Sequence, residues 1–335
     1  MRLGFGGFNV DKSPFGFSLK NSAKDSFWLS TKDRNLVFSD KYVEIGFEIS
    51  SQQVFGWGER KGSYLLEQGE YTIWPNGRNT TNDPGKRGYS TFGDHPFLLA
   101  RNKDHTFIGI FFKNSNAKVL RYTKESKGRS VVNFVSVGGI IEVFAFYGES
   151  AEEVLKQYHQ IIGQPYLPGI WAFGWQAGST GYSNDTLAAQ SVDNFTDNGI
   201  PLEVLWLDEQ YQDNYHNFKV DSVNFKNINA LSSKLKNDNQ RLGISLHSGY
   251  AVYDSKGNKD EIYKIVDGGN AFIKSATNNT EFNNNLIGEG LPGKVAFIDY
   301  FHPMAYIYWS TELKQLFRAS NYGALQLNMN EITQF

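Results

Sequence analysis

The stretch from Leu167 to Phe218, LPGIWAFGWQAGSTGYSNDTLAAQSVDNFTDNGIPLEVLWLDEQYQDNYHNF, constrains the fold more than any other. It reads as strand, helix, strand. Ile170–Trp175 is a short apolar and aromatic run of the kind that a parallel sheet buries on both faces. Asn184 or Ser183 is placed to cap the helix that follows, because a short polar side chain there accepts a free backbone N–H. Ala188, Val192 and Phe195 then form one apolar stripe at helical spacing. Gly199 closes the helix where a left-handed residue costs little, and Pro201 bars its continuation. Leu202–Leu207 is the second strand, and it delivers Asp208 at its C-terminal end. In a parallel α/β barrel that end is the catalytic face.

The 335 residues suffice for roughly two domains. Residues 1–150 read as a β-sandwich, with short aromatic and β-branched runs between turn residues: Phe27–Ser30, Leu36–Phe38, Tyr42–Ile49, Thr106–Phe112, Ala117–Tyr122, Ser130–Val137 and Ile140–Tyr147. Trp74–Gly93 interrupts them as a long polar loop of the kind that is usually functional. Ser150–Ile162 predicts a helix within a linker over 151–168. Its apolar face is Val154, Tyr158 and Ile161, and Glu152 and Glu153 suit its N-terminus. Residues 169–335 predict the first four βα units of a (β/α)8 TIM-type barrel. Arg241–Leu246 is the third strand, running into His247, and Ala324–Asn328 the fourth. Pro303–Ala319 is a helix burying Ile307, Leu313, Leu316 and Phe317, whereas 248–290 is polar and rich in Asn.

Composition narrows the chemistry. A net charge of −2 and no Lys/Arg run give no footprint for nucleic acid. The absence of cysteine removes disulfides, thiolate metal sites and cysteine nucleophiles. Six histidines without paired ligand spacing argue against a metal, and neither a P-loop nor a G-x-S-x-G is present, so no cofactor is expected. No apolar run is long enough to span a membrane. No signal-peptide core precedes Asp11, and the sequons at Asn79, Asn184, Asn194 and Asn278 are no more than this Asn-rich chain would carry by chance.

The order of Pro165, Pro168, Trp171-Ala-Phe-Gly-Trp175, Gly181-Tyr182 and Ile200-Pro-Leu-Glu-Val-Leu-Trp-Leu-Asp208, with Tyr211 beyond, resembles glycoside hydrolase family 31, the α-glucosidase family. Phe55-Gly-Trp-Gly-Glu59, His95-Pro-Phe97, Lys113-Asn-Ser-Asn-Ala117 and Gly138-Gly-Ile-Ile-Glu142 resemble that family's N-terminal, galactose-mutarotase-like sandwich in order. The resemblance implies a sugar site. Asp208 would bind the sugar, with Glu209 beside it where the usual D-I-D-Y-M reads Asp208-Glu-Gln-Tyr-Gln212. The loop before Gly93 would add Asp83, or Asn82 under a one-residue shift. Leu291-Pro-Gly-Lys-Val-Ala-Phe-Ile-Asp299 resembles W-P-G-x-x-x-F-P-D, so Leu291 and Asp299 would lie near the pocket. His247 replaces the Asp-Pro that usually ends the third strand. A secretory, luminal or lysosome-like location is also implied.

The same resemblance places the nucleophile at Asn328. The family's W-I-D-M-N-E-P reads Gln326-Leu-Asn-Met329-Asn-Glu-Ile332 here, and Gln326 and Met329 complete the set of sugar-site residues. A retaining glycosidase needs two carboxylates about 5–5.5 Å apart, and a neutral amide forms no ester that water can hydrolyse. Glu331 lies three residues on and would point elsewhere. The expectation is a catalytically inactive relative that serves as a structural, interaction or carbohydrate-binding component. The alternative is an active α-glucosidase of which this is a mutant or fragment. Either way, four barrel strands call for a protein partner or a missing C-terminal half on the open side. An α-glucoside or other glycan is a weak ligand candidate.

Overall fold

The computed structural model describes residues 6–21, 26–74, 90–328 and 330–332. The chain divides into two compact units, Met1–Tyr166 and Leu167–Phe335. Asp83, Asn82 and Met329 lie outside the described residues.

The first unit holds twelve strands among its described residues: β1 Gly6–Lys12, β2 Phe15–Asn21, β3 Ser26–Ser30, β4 Leu36–Ser39, β5 Tyr42–Ile49, β6 Gln53–Arg60, β7 Gly69–Ile73, β8 Ser90–Arg101, β9 Phe107–Phe112, β10 Lys118–Lys124, β11 Ser130–Ser136 and β12 Val143–Gly148. One sheet runs β1-β2-β3-β5-β11-β10-β7, with β4 also paired to β5. The other runs β12-β9-β8-β6. All pairs are antiparallel. Their inner faces meet in an aromatic core. Phe134 packs on Phe47, Trp57 and Phe112 with ring centroids 5.2–5.6 Å apart, and Trp57 donates its indole N–H to the Tyr71 carbonyl.

Helix α1, Ala151–Ile162, belongs to this unit and is more than a linker. Ser150 caps it by accepting the Glu153 N–H. Val154 and Tyr158 are buried against Phe97, Phe111 and Phe146, whereas Ile161 stays half-exposed. Gly109 on β9 makes the approach possible, since a Cβ there would meet Val154 Cγ1 at 2.6 Å. Five strands went unread in the sequence. β1, β2, β6, β7 and β8 are rich in Gly or in charged and amide residues, types depleted in strands, even where Phe8 and Val10 or Phe15, Phe17 and Leu19 alternate.

The second unit is built on a parallel sheet in the order β13 Gln176–Ser179, β14 Val204–Leu207, β15 Arg241–Leu246 and β19 Ala324–Leu327. Helices α2 Asp185–Asp197, α3 Ile228–Asn237 and α5 Ala305–Ser320 accompany it, α3 lying between the other two. Asn184 caps α2 through Leu187 N, and Ala188 and Val192 are buried. Between β15 and β19 the chain makes helix α4, Glu261–Gly268, and a small antiparallel sheet, β16 Gly249–Ala251 beside β18 Gly293–Phe297 beside β17 Ile287–Gly290.

Two expectations need correction. Ile170–Trp175 is not a strand. Ile170–Phe173 forms a 3-10 turn, and Ile170, Phe173 and Trp175 are exposed. The ladder opens only where Glu203 N donates to the Trp175 carbonyl, because Pro201, two residues earlier, has no N–H to offer. The first strand therefore starts at Gln176. In α5, Leu316 is buried and Leu313 packs on the core, but Ile307 and Phe317 are half-exposed; Ala305, Glu312 and Ser320 are buried instead.

Candidate functional site

The C-terminal ends of the parallel strands surround a cavity of about 230 Å3 lined by Gly178, Thr180, Trp206, Asp208, Ser245, Gln326 and Asn328. Strand alternation explains the set. Leu205, Leu207, Leu242, Ile244 and Leu246 are buried in the core beneath the helices. The intervening residues turn the other way, and the parallel register lines up Gly178, Trp206 and Gly243, then Ser245 and Gln326. Gly243 exists to seat the indole, since a Cβ there would stand 2.3 Å from Trp206 Cε3. The indole N–H donates to Gln176 Oε1 at 2.8 Å, fixing the ring as a wall.

Asp208 follows β14 directly, and its Oδ1 accepts the Glu209 N–H, so the carboxylate caps the next turn and borders the cavity at once. Glu209 is only 6% exposed. Its carboxyl is pushed up to about 7, chiefly by burial and then by a hydrogen bond with the Asp208 side chain. Across the cavity floor, Asn328 Nδ2 donates to Glu209 Oε1 at 2.9 Å. Asn328 is itself anchored by its backbone N–H, which donates to the Leu246 carbonyl at 2.7 Å.

The sequence-derived residues thus divide. Asp208, Gln326 and Asn328 line one cavity, and Glu209 lies behind it. His247 does not reach it. The ring is 5% exposed, its Nε2 bonds the Tyr215 carbonyl, and its Nδ1 accepts from Gly249 N and faces the Asn217 amide. Burial depresses its pKa, so it is a neutral strut with both nitrogens occupied. Leu291 sits in the turn between β17 and β18, and Asp299 accepts the Phe301 N–H. Neither lines the cavity. Glu331 does not line it either; its backbone carbonyl accepts from Ser248 Oγ. The sequence reading missed Gly178, Thr180, Trp206 and Ser245. For Trp206 a signal existed, since it shares the alternation parity of Asp208 at the end of its own strand. A larger hollow of about 660 Å3 in the first unit is lined by Lys20, Lys32, Asp11, Asp33 and others along β1–β3.

A profile of the glycosyl hydrolases family 31 TIM-barrel domain matches residues 165–335. The chain belongs to glycosyl hydrolase family 31. It is 27% identical over 329 residues to lysosomal alpha-glucosidase of Mus musculus, covering 97% of this chain and 33% of that protein. To a probable alpha-glucosidase of Oryza sativa subsp. japonica it is 28% identical over 346 residues, 98% of this chain and 36% of that one. The solved glucosidase II alpha subunit is similar in fold, with a TM-score of 0.80 at 17% identity over 91% of this chain and 37% of that one. The chain therefore spans about a third of the length of the curated relatives it matches.

Proposed function

We propose that this family 31 chain carries a sugar pocket that does not hydrolyse glycosides and that it acts as a carbohydrate-binding or interaction component. One observation carries the reading: an amide, Asn328, occupies the strand end opposite Asp208 and is engaged with Glu209. In this reading Asp208 accepts hydrogen bonds from a sugar ring, Trp206 supplies an apolar wall, and the amides and hydroxyls of Gln326, Asn328, Ser245 and Thr180 satisfy further hydroxyls. The cavity suits one ring rather than a chain of them. Without a carboxylate at 328 there is no group to form or stabilise the glycosyl intermediate, and the loss is on the order of 10⁴–10⁶ in rate.

Among the described strands β13 and β19 are each paired on one side only, which supports the accompanying proposal that further polypeptide, from the same chain or from a partner, covers this sheet. Trp175 and Leu327 beside those edges are 60% and 51% exposed.

The competing reading is an active retaining α-glucosidase, favoured by the names of the relatives. It requires another carboxylate to attack, but Glu209 and Glu331 lie off the cavity surface, and Asp208, which lies on it, caps the following turn through Oδ1. Turnover of p-nitrophenyl α-glucoside separates the two. The proposal expects none above a buffer blank, and inhibitor-sensitive turnover would overturn it. Glycan-array binding then separates a sugar-binding role from a purely structural one.

A further inference from the structure

Glu209 is a buried carboxyl that the sugar-pocket reading leaves without work. It sits at the end of a strand whose preceding residues are Leu, Trp, Leu and Asp, a place where burial favours an apolar side chain. A buried carboxyl is retained only where its oxygens are satisfied. Here Asn328 Nδ2 supplies one hydrogen bond at 2.9 Å and Asp208 supplies the other contact. The partner across the floor is the residue on which the chemistry of such a pocket turns.

We infer that Glu209 and Asn328 are a matched pair in which Glu209 positions the Asn328 amide at the cavity, so that a carboxylate at 328 is incompatible with the one at 209. Its consequence for sugar binding rests on the reading given above, but the pairing itself does not. With Asn at 328, an N–H points at the carboxylate and the contact is attractive. With Asp at 328, two carboxylates face each other at hydrogen-bond distance, with Asp208 a third nearby, and at least one proton must be retained. The titratable groups facing Glu209 are Asp208 beside it and Tyr211 on the same turn, while β19 offers only the uncharged Asn328. Among the described residues no ion pair involves Asp208 or Glu209.

The test is a set of thermal melts by circular dichroism at pH 5 and pH 8 on the parent chain, Asn328→Asp, Glu209→Gln and the double variant. Asn328→Asp should lose at least about 5 °C more, relative to the parent, at pH 8 than at pH 5. Adding Glu209→Gln should remove that difference, since a glutamine oxygen still accepts from the parent amide and leaves an aspartate unopposed at 328. A merely structural glutamate would not give this reciprocal, pH-dependent rescue. Equal losses for Asn328→Asp at the two pH values, or a difference that survives Glu209→Gln, would overturn the pairing. Should Asn328→Asp fail to fold at pH 8, recovery of folding in the double variant supports the pairing and failure of both counts against it. These melts do not read sugar hydrolysis, so the pocket assignment and the pairing stand or fall separately.

Discussion

β14 and β19 lie in the same parallel sheet, and each hands a residue to the same cavity, yet they are built differently. Val204, Leu205 and Leu207 of β14 are at most 1% exposed, with a neighbour on either side. β19 pairs only with β15 among the described strands, and its Leu327 is half-exposed. The buried strand runs into Asp208, a carboxyl; the edge strand runs into the amide Asn328. In the proposed reading, the packed side of the sheet supplies the sugar-binding Asp208, whereas the edge strand, where an attacking carboxylate would stand, presents an amide.

The largest expected effect concerns repair of the edge strand. Asn328→Asp should leave p-nitrophenyl α-glucoside hydrolysis about 10⁴-fold or more below that of an active family member. The new carboxylate would face Glu209, and Gln326 offers no ring for a sugar to stack on. Robust turnover in this single variant would mean that only one atom separates the two ends. Next in size is packing. Leu205→Ala on β14 should cost about 2–5 kcal/mol by denaturant melt, because it opens a cavity in the core. Leu327→Ala on β19 should cost less than about 1 kcal/mol. Equal losses would erase the distinction between packed and edge strand.

A smaller effect belongs to Glu209. Its carboxyl is held above its unfolded value of 4.5, at about 7, so the folded chain binds the extra proton between those values. Its contribution is fully present below about pH 4.5 and is lost as pH rises through about 7, on the order of 2–3 kcal/mol. Glu209→Gln should flatten that part of a pH–stability curve, and a wild-type curve that instead rises with pH over this window would contradict it. The smallest effect lies away from the site. Asn184→Ala removes the cap on α2, and a loss of about 1 kcal/mol in a urea titration is expected.

What the sequence made legible follows the same division. Leu202–Leu207, Arg241–Leu246, the cap at Asn184 and the turn at Gly199 were readable because burial and helix ends impose local residue preferences. Gly199 does adopt a positive φ, 65°. Ile170–Trp175 misled because apolarity alone does not distinguish a buried strand from an exposed apolar turn. Residues 248–290 read only as polar and rich in Asn, yet they form β16, β17 and α4, held by contacts such as Asn285 Nδ2 to Asp267 Oδ1 that no local pattern announces. Glu209 was singled out only by its place beside Asp208. Its partner is 119 residues away, so the feature that explains it exists only after folding.

The central claim is that the cavity has no attacking carboxylate, and covalent labelling tests it most directly. A retaining glycosidase treated with an activated fluorinated α-glucosyl donor accumulates a glycosyl ester on its nucleophile. The polypeptide, in the longest form in which it is made, is incubated with such a reagent, digested and mapped by mass spectrometry. The account predicts no glycosyl adduct on the peptides carrying Asp208, Glu209, Asn328 or Glu331. A stoichiometric adduct on any of those carboxylates would contradict it and identify the group that took over the role.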